Sequence, residues 1–406
     1  MPKNLLLFPE KFQLDGAVSD SGIGALEVAV NNLSIASKSG AMRQANAIRI
    51  GGLGSIKNQN RGMPTLNSLL PTRSVGKFTV APSEPNGTVG YFIGGFGDNS
   101  NGRDISAQQT RFDRFTFATN TVNSLGSQTS ISSQYTFGNS TYGYYCWAPA
   151  TLKFFARFTF QNETISPIGS VVFPGRYQGA SLKNQSRGYA CGGISSSAGT
   201  IYGNVDRFSF AGEVCVSIGT LLQAKLQNFG FGNKFNGYVG GGATVSNFTS
   251  ISNNIERFSY ATELNAIISS VFTIGRGLLS TWVPSSLSAA YFVSGHAFGT
   301  FPTAGSAARI YCVNTIEKFT YAGETTSVLA GTIARGVRLY GAVGNSTRCI
   351  MGGGTSYTDT YEAQSLTNRE VNEMRAFTYG TETHEILGSV LSIGRNSVAG
   401  LDNHGI

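Results

Sequence analysis

The chain of 406 residues has three histidines, two tryptophans and only 13% charged residues, about half the usual charged share. Nucleophile triads need a histidine, and His296, His384 and His404 stand at a strand end, in a hairpin and near the C-terminus. No cluster of acids stands out to serve as paired glycosidase carboxylates. The five cysteines show neither metal nor redox spacing. The oxygen donors of Asp98–Asp104 lack the order of a calcium loop. No apolar run is long enough to span a membrane. Leu5–Phe8 is too short for a secretory core and is followed at once by Glu10 and Lys11, so synthesis in a cytoplasm without a signal peptide is expected. Basic residues outnumber acidic ones, 30 to 22, for a net charge of +8, yet they are scattered with no Lys/Arg run. Nucleic acid is therefore not expected as a partner. These absences lead to the expectation that the protein is not an enzyme and holds no metal or cofactor.

What the chain has in abundance is glycine, 52 residues, and a repeat. Six related segments are Arg114–Phe117, Arg157–Phe160, Arg207–Phe210, Arg257–Tyr260, Lys318–Tyr321 and Ala376–Tyr379, with Phe115, Phe158, Phe208, Phe258, Phe319 and Phe377 at their second positions. Their first residues are 43, 50, 50, 61 and 58 residues apart, the spacing of propeller blades rather than of helical repeats. Twelve residues after each first position comes a small residue (Gly126, Gly169, Gly219, Ser269, Ala330, Gly388), as a tight hairpin of fixed register requires.

Upstream of most copies lies a strand ending in glycines: Tyr91–Gly95, Tyr189–Gly193, Tyr238–Gly242, Tyr291–Gly295 and Cys349–Gly353, while Tyr144–Ala148 has lost them. The pairs Gly94/Gly95, Gly192/Gly193, Gly241/Gly242 and Gly352/Gly353 mark places where another backbone comes close. Cys146 and Cys191 stand where other copies have Ile93 and Val293, and read as buried filler. A further strand precedes each pair after Arg176, Lys225, Arg276 or Arg335. Four short strands, six times, predict an all-β, six-bladed β-propeller. The repeated base follows an acid, as in Glu256-Arg257, which suggests ion pairs between blades.

The order of these features resembles the kelch repeat over about residues 73–406, with aliphatics such as Ile165, Ile267 and Val328 in place of the kelch tryptophan. The copies are more similar to the divergent kelch-like propellers of bacteriophage tail proteins, cyanophages in particular, with their Phe-x-Tyr-Ala-Thr-Glu-Thr units.

Residues 1–72 lie outside the repeat and have too few large apolar residues for a core, so they are read as an irregular docking arm. Blades are placed at about 73–128, 129–171, 172–221, 222–271, 272–332 and 333–391. A seventh lead-in, 393–401, is expected to close the ring beside Gly90–Gly95, with Arg73–Ala81 as competitor for that place. Only His296 is placed for a copper site at the hub, and one ligand makes no site.

The long loops between second and third strands share one face and carry Tyr202, Phe248, Phe298, Phe301, Tyr357 and Tyr361. Aromatics among amides and hydroxyls suit contact with glycans or proteins, although they can also fold inward as anchors. The resemblance implies a virion tail component (fibre, nozzle or baseplate-peripheral) in multiple copies. Residues 1–72 would meet other tail proteins and the loops a host glycan, a receptor or a subunit. The alternative is a soluble kelch-like scaffold or a carbohydrate-binding lectin of a bacterial cell.

Overall fold

The computed structural model describes residues 87–97, 107–127, 135–147, 154–168, 175–195, 199–246, 249–277, 282–299, 309–333, 336–356 and 369–404. The expected arm, 1–72, and Arg73–Ala81 lie outside them. The described residues form strands and turns only, arranged as a six-bladed β-propeller.

Each blade is an antiparallel sheet in chain order from hub to rim. Blade 3, for example, runs Ala180–Lys183, Arg187–Cys191, Asn204–Ser209 and Val214–Thr220. Blades 2, 4 and 6 begin with Tyr135–Gly138, Phe229–Gly232 and Gly341–Gly344. In blade 5 the inner position is marked by the bridge from Ser285 to Ala290. Blade 1 takes its inner strand from the other end of the sequence: Ala399–Asp402 pairs with Val89–Ile93, Tyr91 opposite Leu401. The inner strands are buried throughout, whereas the outer ones alternate between half-buried and exposed side chains, as the two ends of a radial sheet must.

The inner strands crowd each other around the hub. Val283 N donates to Gly230 O at 2.7 Å, and a Cβ on Gly230 or Gly400 would lie 1.7 Å from Ser181 O or 1.8 Å from Ala342 O. At one end the hub is plugged by a buried ion pair across the ring, Lys183 Nζ to Asp402 Oδ1 at 3.0 Å, and Asp402 Oδ2 accepts from Gly344 N at 3.0 Å.

The repeated residues meet between blades. The second-strand tyrosine packs on the two third-strand aromatics of the next blade: Tyr238 lies 4.9 Å from Phe319 and 5.6 Å from Tyr321. Its hydroxyl donates at 3.0 Å to Glu324, in the last turn of that next blade, and Arg257 reaches the same carboxylate at 3.1 Å. Tyr91/Arg114 with Glu163, Tyr144/Arg157 with Glu213, Tyr189/Arg207 with Glu263, and Tyr291/Lys318 with Glu382 repeat the arrangement. The repeated base therefore does pair across blades, with the turn glutamate.

The acid before it does something else. Asp113, Asp206, Glu256 and Glu317 pair inside their own blades with Arg395 (2.9 Å), Arg176 (2.7 Å), Lys225 (3.3 Å) and Arg276 (2.5 Å), all with side chains at most 1% exposed. Of the four lead-in bases named from the sequence, Arg335 lies outside the described residues. Its blade has Val337 four residues before the inner strand, where blade 3 has Arg176, and Arg375 in the place of the acid.

The glycine pairs let chain past chain. Gly241 and Gly242 have φ of 59° and 87°, and a Cβ on Gly241 would sit 2.0 Å from the carbonyl oxygen of Arg276, the base leading into the next blade. Gly94/Gly95 and Gly192/Gly193 share this left-handed backbone, and Ser294 holds it in blade 5 at φ 72°. In blade 6 the pair is corrected by one residue. Ile350 opposes Ala376 as Tyr91 opposes Arg114, so Gly353 and Gly354 are the left-handed residues and Gly352 belongs to the strand. Ile165 packs against the core, but Ile267 and Val328 are exposed on the rim.

Candidate binding face

The two faces of the ring are built differently. On one, inner and second strands join through short turns capped by a side-chain oxygen. Asn139, Asn184, Asn233 and Asn345 each accept from the backbone N–H groups two and three residues on, and Ser286 does the same in blade 5. Blade 1 keeps this cap although its two strands lie at opposite ends of the sequence: Asn403 Oδ1 accepts from Gly87 N at 3.1 Å and Val89 N at 3.4 Å. The third-to-fourth-strand turns, with left-handed residues Asn120, Glu163, Glu213, Glu263, Glu324 and Glu382, share this face.

The opposite face carries the long second-to-third-strand connections. Their feet form small ladders: Arg176–Tyr177 with Ile194–Ser195, Phe96–Gly97 with both Ala107–Gln108 and Arg395–Asn396, His296–Gly299 with Arg309–Cys312, and Val337–Arg338 with Thr355–Ser356. A loop rooted in paired backbone leaves the blade from a fixed point, so the ring sets where each loop starts. Of the six aromatics expected here, Tyr202 is placed. It is half-buried, and its N–H donates to Gly193 O at 2.7 Å, at the foot of its loop. Phe248, Phe301, Tyr357 and Tyr361 lie outside the described residues, as does the side chain of Phe298, whose backbone pairs with Ile310. The polar stretch Asp98–Asp104 lies outside them too.

At the hub end of this face sits His296, 1% exposed, opposite Cys312 and bridged through its backbone to Gly277. Burial pushes its pKa down to about 3, and the Arg338 charge pushes the same way. Among the described residues neither ring nitrogen has a hydrogen-bond partner. Among the described residues no three His, Cys, Asp or Glu side chains come together as metal ligands. His384, half-buried in the last blade, is lowered to about 4 by burial and by Arg375, and His404 is lowered by burial. Burial raises the Cys146 and Cys191 thiols well above their ordinary range, as filler positions require.

The turn glutamates that link the blades are absent from the sequence-based expectations. Their signal was present, an acid five residues after the repeated phenylalanine in five of six copies.

No family model matches the chain. No curated protein matches it either. Among solved structures it is similar to one described as "Structure of YjhT", at 15% identity over 66% of this chain and 86% of that one, with a TM-score of 0.52. At that identity the likeness shows the fold. That fold is the six-bladed β-propeller described above. The likeness also corrects one expectation. The absence of catalytic activity, inferred from scarce histidine and dispersed acids, does not stand beside the YjhT likeness, because one such ring serves enzymes and binding proteins alike. Among the described residues no helix is long and apolar enough to cross a membrane.

Proposed function

We propose that this protein is a structural and binding component of a bacteriophage tail, a fibre, nozzle or baseplate-peripheral part present in several copies. Residues 1–72 dock it to other tail proteins, and the loop face meets a host-surface glycan or receptor, or a neighbouring subunit. One observation carries the binding half of this reading: the asymmetry of the ring. Short capped turns occupy one face, and the paired feet of the long second-to-third-strand connections lie on the other. Long loops of free length gathered on one side of a rigid ring suit contact with a partner. The tail itself rests on the likeness of the repeat units to phage propellers.

The test is mass spectrometry and immunogold labelling of purified particles from the source culture. Gold on tails is expected. Recovery of the protein from cells, with none in the particles, overturns the reading and leaves the cellular scaffold or lectin.

A further inference from the structure

Five of the six blade junctions carry the tyrosine–base–glutamate clamp, and the sixth does not. Where blade 6 meets blade 1, Ile350 replaces the tyrosine, Ala376 the base and Asn120 the glutamate. The register shows that these are the same positions: Ile350 opposes Ala376 as Tyr91 opposes Arg114, and Asn120 has φ 56° where the five glutamates have 47° to 55°. Ile350 still packs with Phe115 and Phe117, so the junction keeps its apolar contact and loses its ring stack and its charge pairing.

The junction keeps Gly344 N on Asp402 Oδ2 and Asn345 Nδ2 on Gly87 O, and at the clamp position Arg348 remains. Its guanidinium lies 5.8 Å from the Phe117 ring centroid and donates to the Phe117 carbonyl and, at 2.6 Å, to Asn120 Oδ1. Its counterpart in blade 3, Arg187, reaches the carboxylate of Glu263 at 2.9 Å, whereas Arg348 meets a neutral amide. Two further features coincide here. Blade 6 has Val337 and Arg375 where four other blades have a buried base and acid. Blade 1 is completed non-covalently, by Ala399–Asp402 and the Asn403 cap.

We propose that the ring is built to open at this junction: the closing strand and blade 6 part from Val89–Ile93 and blade 1, giving up the Arg395–Asp113 and Lys183–Asp402 pairs, while the five clamped junctions hold. The weakness is specific, since the backbone at Asn120 already has the conformation of the clamp and lacks only its side chains. Such an opening frees the edge of Val89–Ile93 next to the point where the preceding chain enters blade 1.

Hydrogen–deuterium exchange of the full chain tests this. Amides of Val89–Ile93 and Ala399–Asp402 are expected to exchange about tenfold or more faster than those of the equivalent strands of blade 3, Arg187–Cys191 and Ala180–Lys183. Installing the clamp through Asn120→Glu with Ala376→Arg and Ile350→Tyr is expected to slow the junction about tenfold and leave the other blades unchanged. The reverse pair, Glu263→Asn with Arg207→Ala, is expected to move fast exchange to the junction of blades 3 and 4. Equal or slower exchange at the natural junction in the unaltered chain overturns the proposal, and so does an installed clamp that leaves the junction rate where it was.

Discussion

Replacing Glu317 by alanine probes the interior of the blades. Glu317 Oε2 accepts from Arg276 at 2.5 Å, Oε1 accepts from Thr273 N at 2.6 Å, and both side chains of the pair are fully buried. Removal leaves a guanidinium without its counter-charge in a dry interior and an N–H without its acceptor. Breaking a buried pair from one side costs about 3–5 kcal/mol. In a ring of this size that lowers the melting temperature by roughly 4–8 °C. Arg276 also donates to the carbonyls of Phe292 and Ser294, so part of its bonding survives and the lower half of the range is expected. The chain supplies its own control. Blade 6 folds with Val337 in the base position, and blade 2 has Ala156 in the acid position. The double variant Arg276→Val with Glu317→Ala is therefore expected to be more stable than Glu317→Ala alone, because the stranded charge goes with the carboxylate. Urea unfolding followed by tryptophan fluorescence measures both. A cost below about 1 kcal/mol for Glu317→Ala, or a double variant worse than the single one, refutes the reasoning.

Acid is expected to weaken the ring through His296. Its folded pKa, about 3, lies below the free-histidine value, so the unfolded chain binds the extra proton. Stability is then complete above about pH 6.5 and declines as pH falls toward the folded value, by about 2 kcal/mol at pH 5. His384, lowered to about 4, adds a fall of similar size, so His296→Gln should roughly halve the drop in melting temperature between pH 7 and 5, and an unchanged slope would exclude His296 as a source. Glu263→Gln is expected to cost more than Glu213→Gln, about 2 against 1 kcal/mol, since Glu263 holds Arg187, Arg207 and Tyr189 and Glu213 holds Arg157 and Tyr144. Equal melting temperatures would count against the clamp as the main polar link between blades. Gly241→Ala should abolish soluble folded protein, because its Cβ meets Arg276 O at 2.0 Å. Gly126→Ala, with φ 86° but open space around it, should cost only about 1 kcal/mol. Comparable expression and melting of the two variants would contradict the close approach.

The ring was legible in the sequence because the hairpin is rigid: one inserted residue turns every side chain of the outer strand over, so Arg114, Arg157 and their counterparts keep a fixed distance to the following small residue. The glycine pair slipped by one in blade 6 because Ile350 stands where tyrosine marks the other copies and three consecutive glycines follow. The two roles of charge were harder to separate. Glu256 and Arg257 are adjacent, but successive strand residues face opposite sides of the sheet. Glu256 therefore turns inward to Lys225 and Arg257 outward to Glu324, a partner 67 residues away. The long loops were legible only as a face. Their lengths vary freely because no register constrains them, and Tyr202 alone among the six aromatics is placed. Scarce histidine does not exclude catalysis by the ring, since a site can be assembled from loops that share no repeat.

The most direct measurement of the central claim, a six-bladed ring carried on a tail with its long loops outward, is an electron cryo-microscopy map of the intact particle. The account expects a six-petalled disc whose capped-turn face, with Gly87 and His404, points toward the particle and whose loop face points to solvent or to a neighbouring subunit. A disc of another blade number, or one whose loop face is turned toward the tail with its turns exposed, would contradict it.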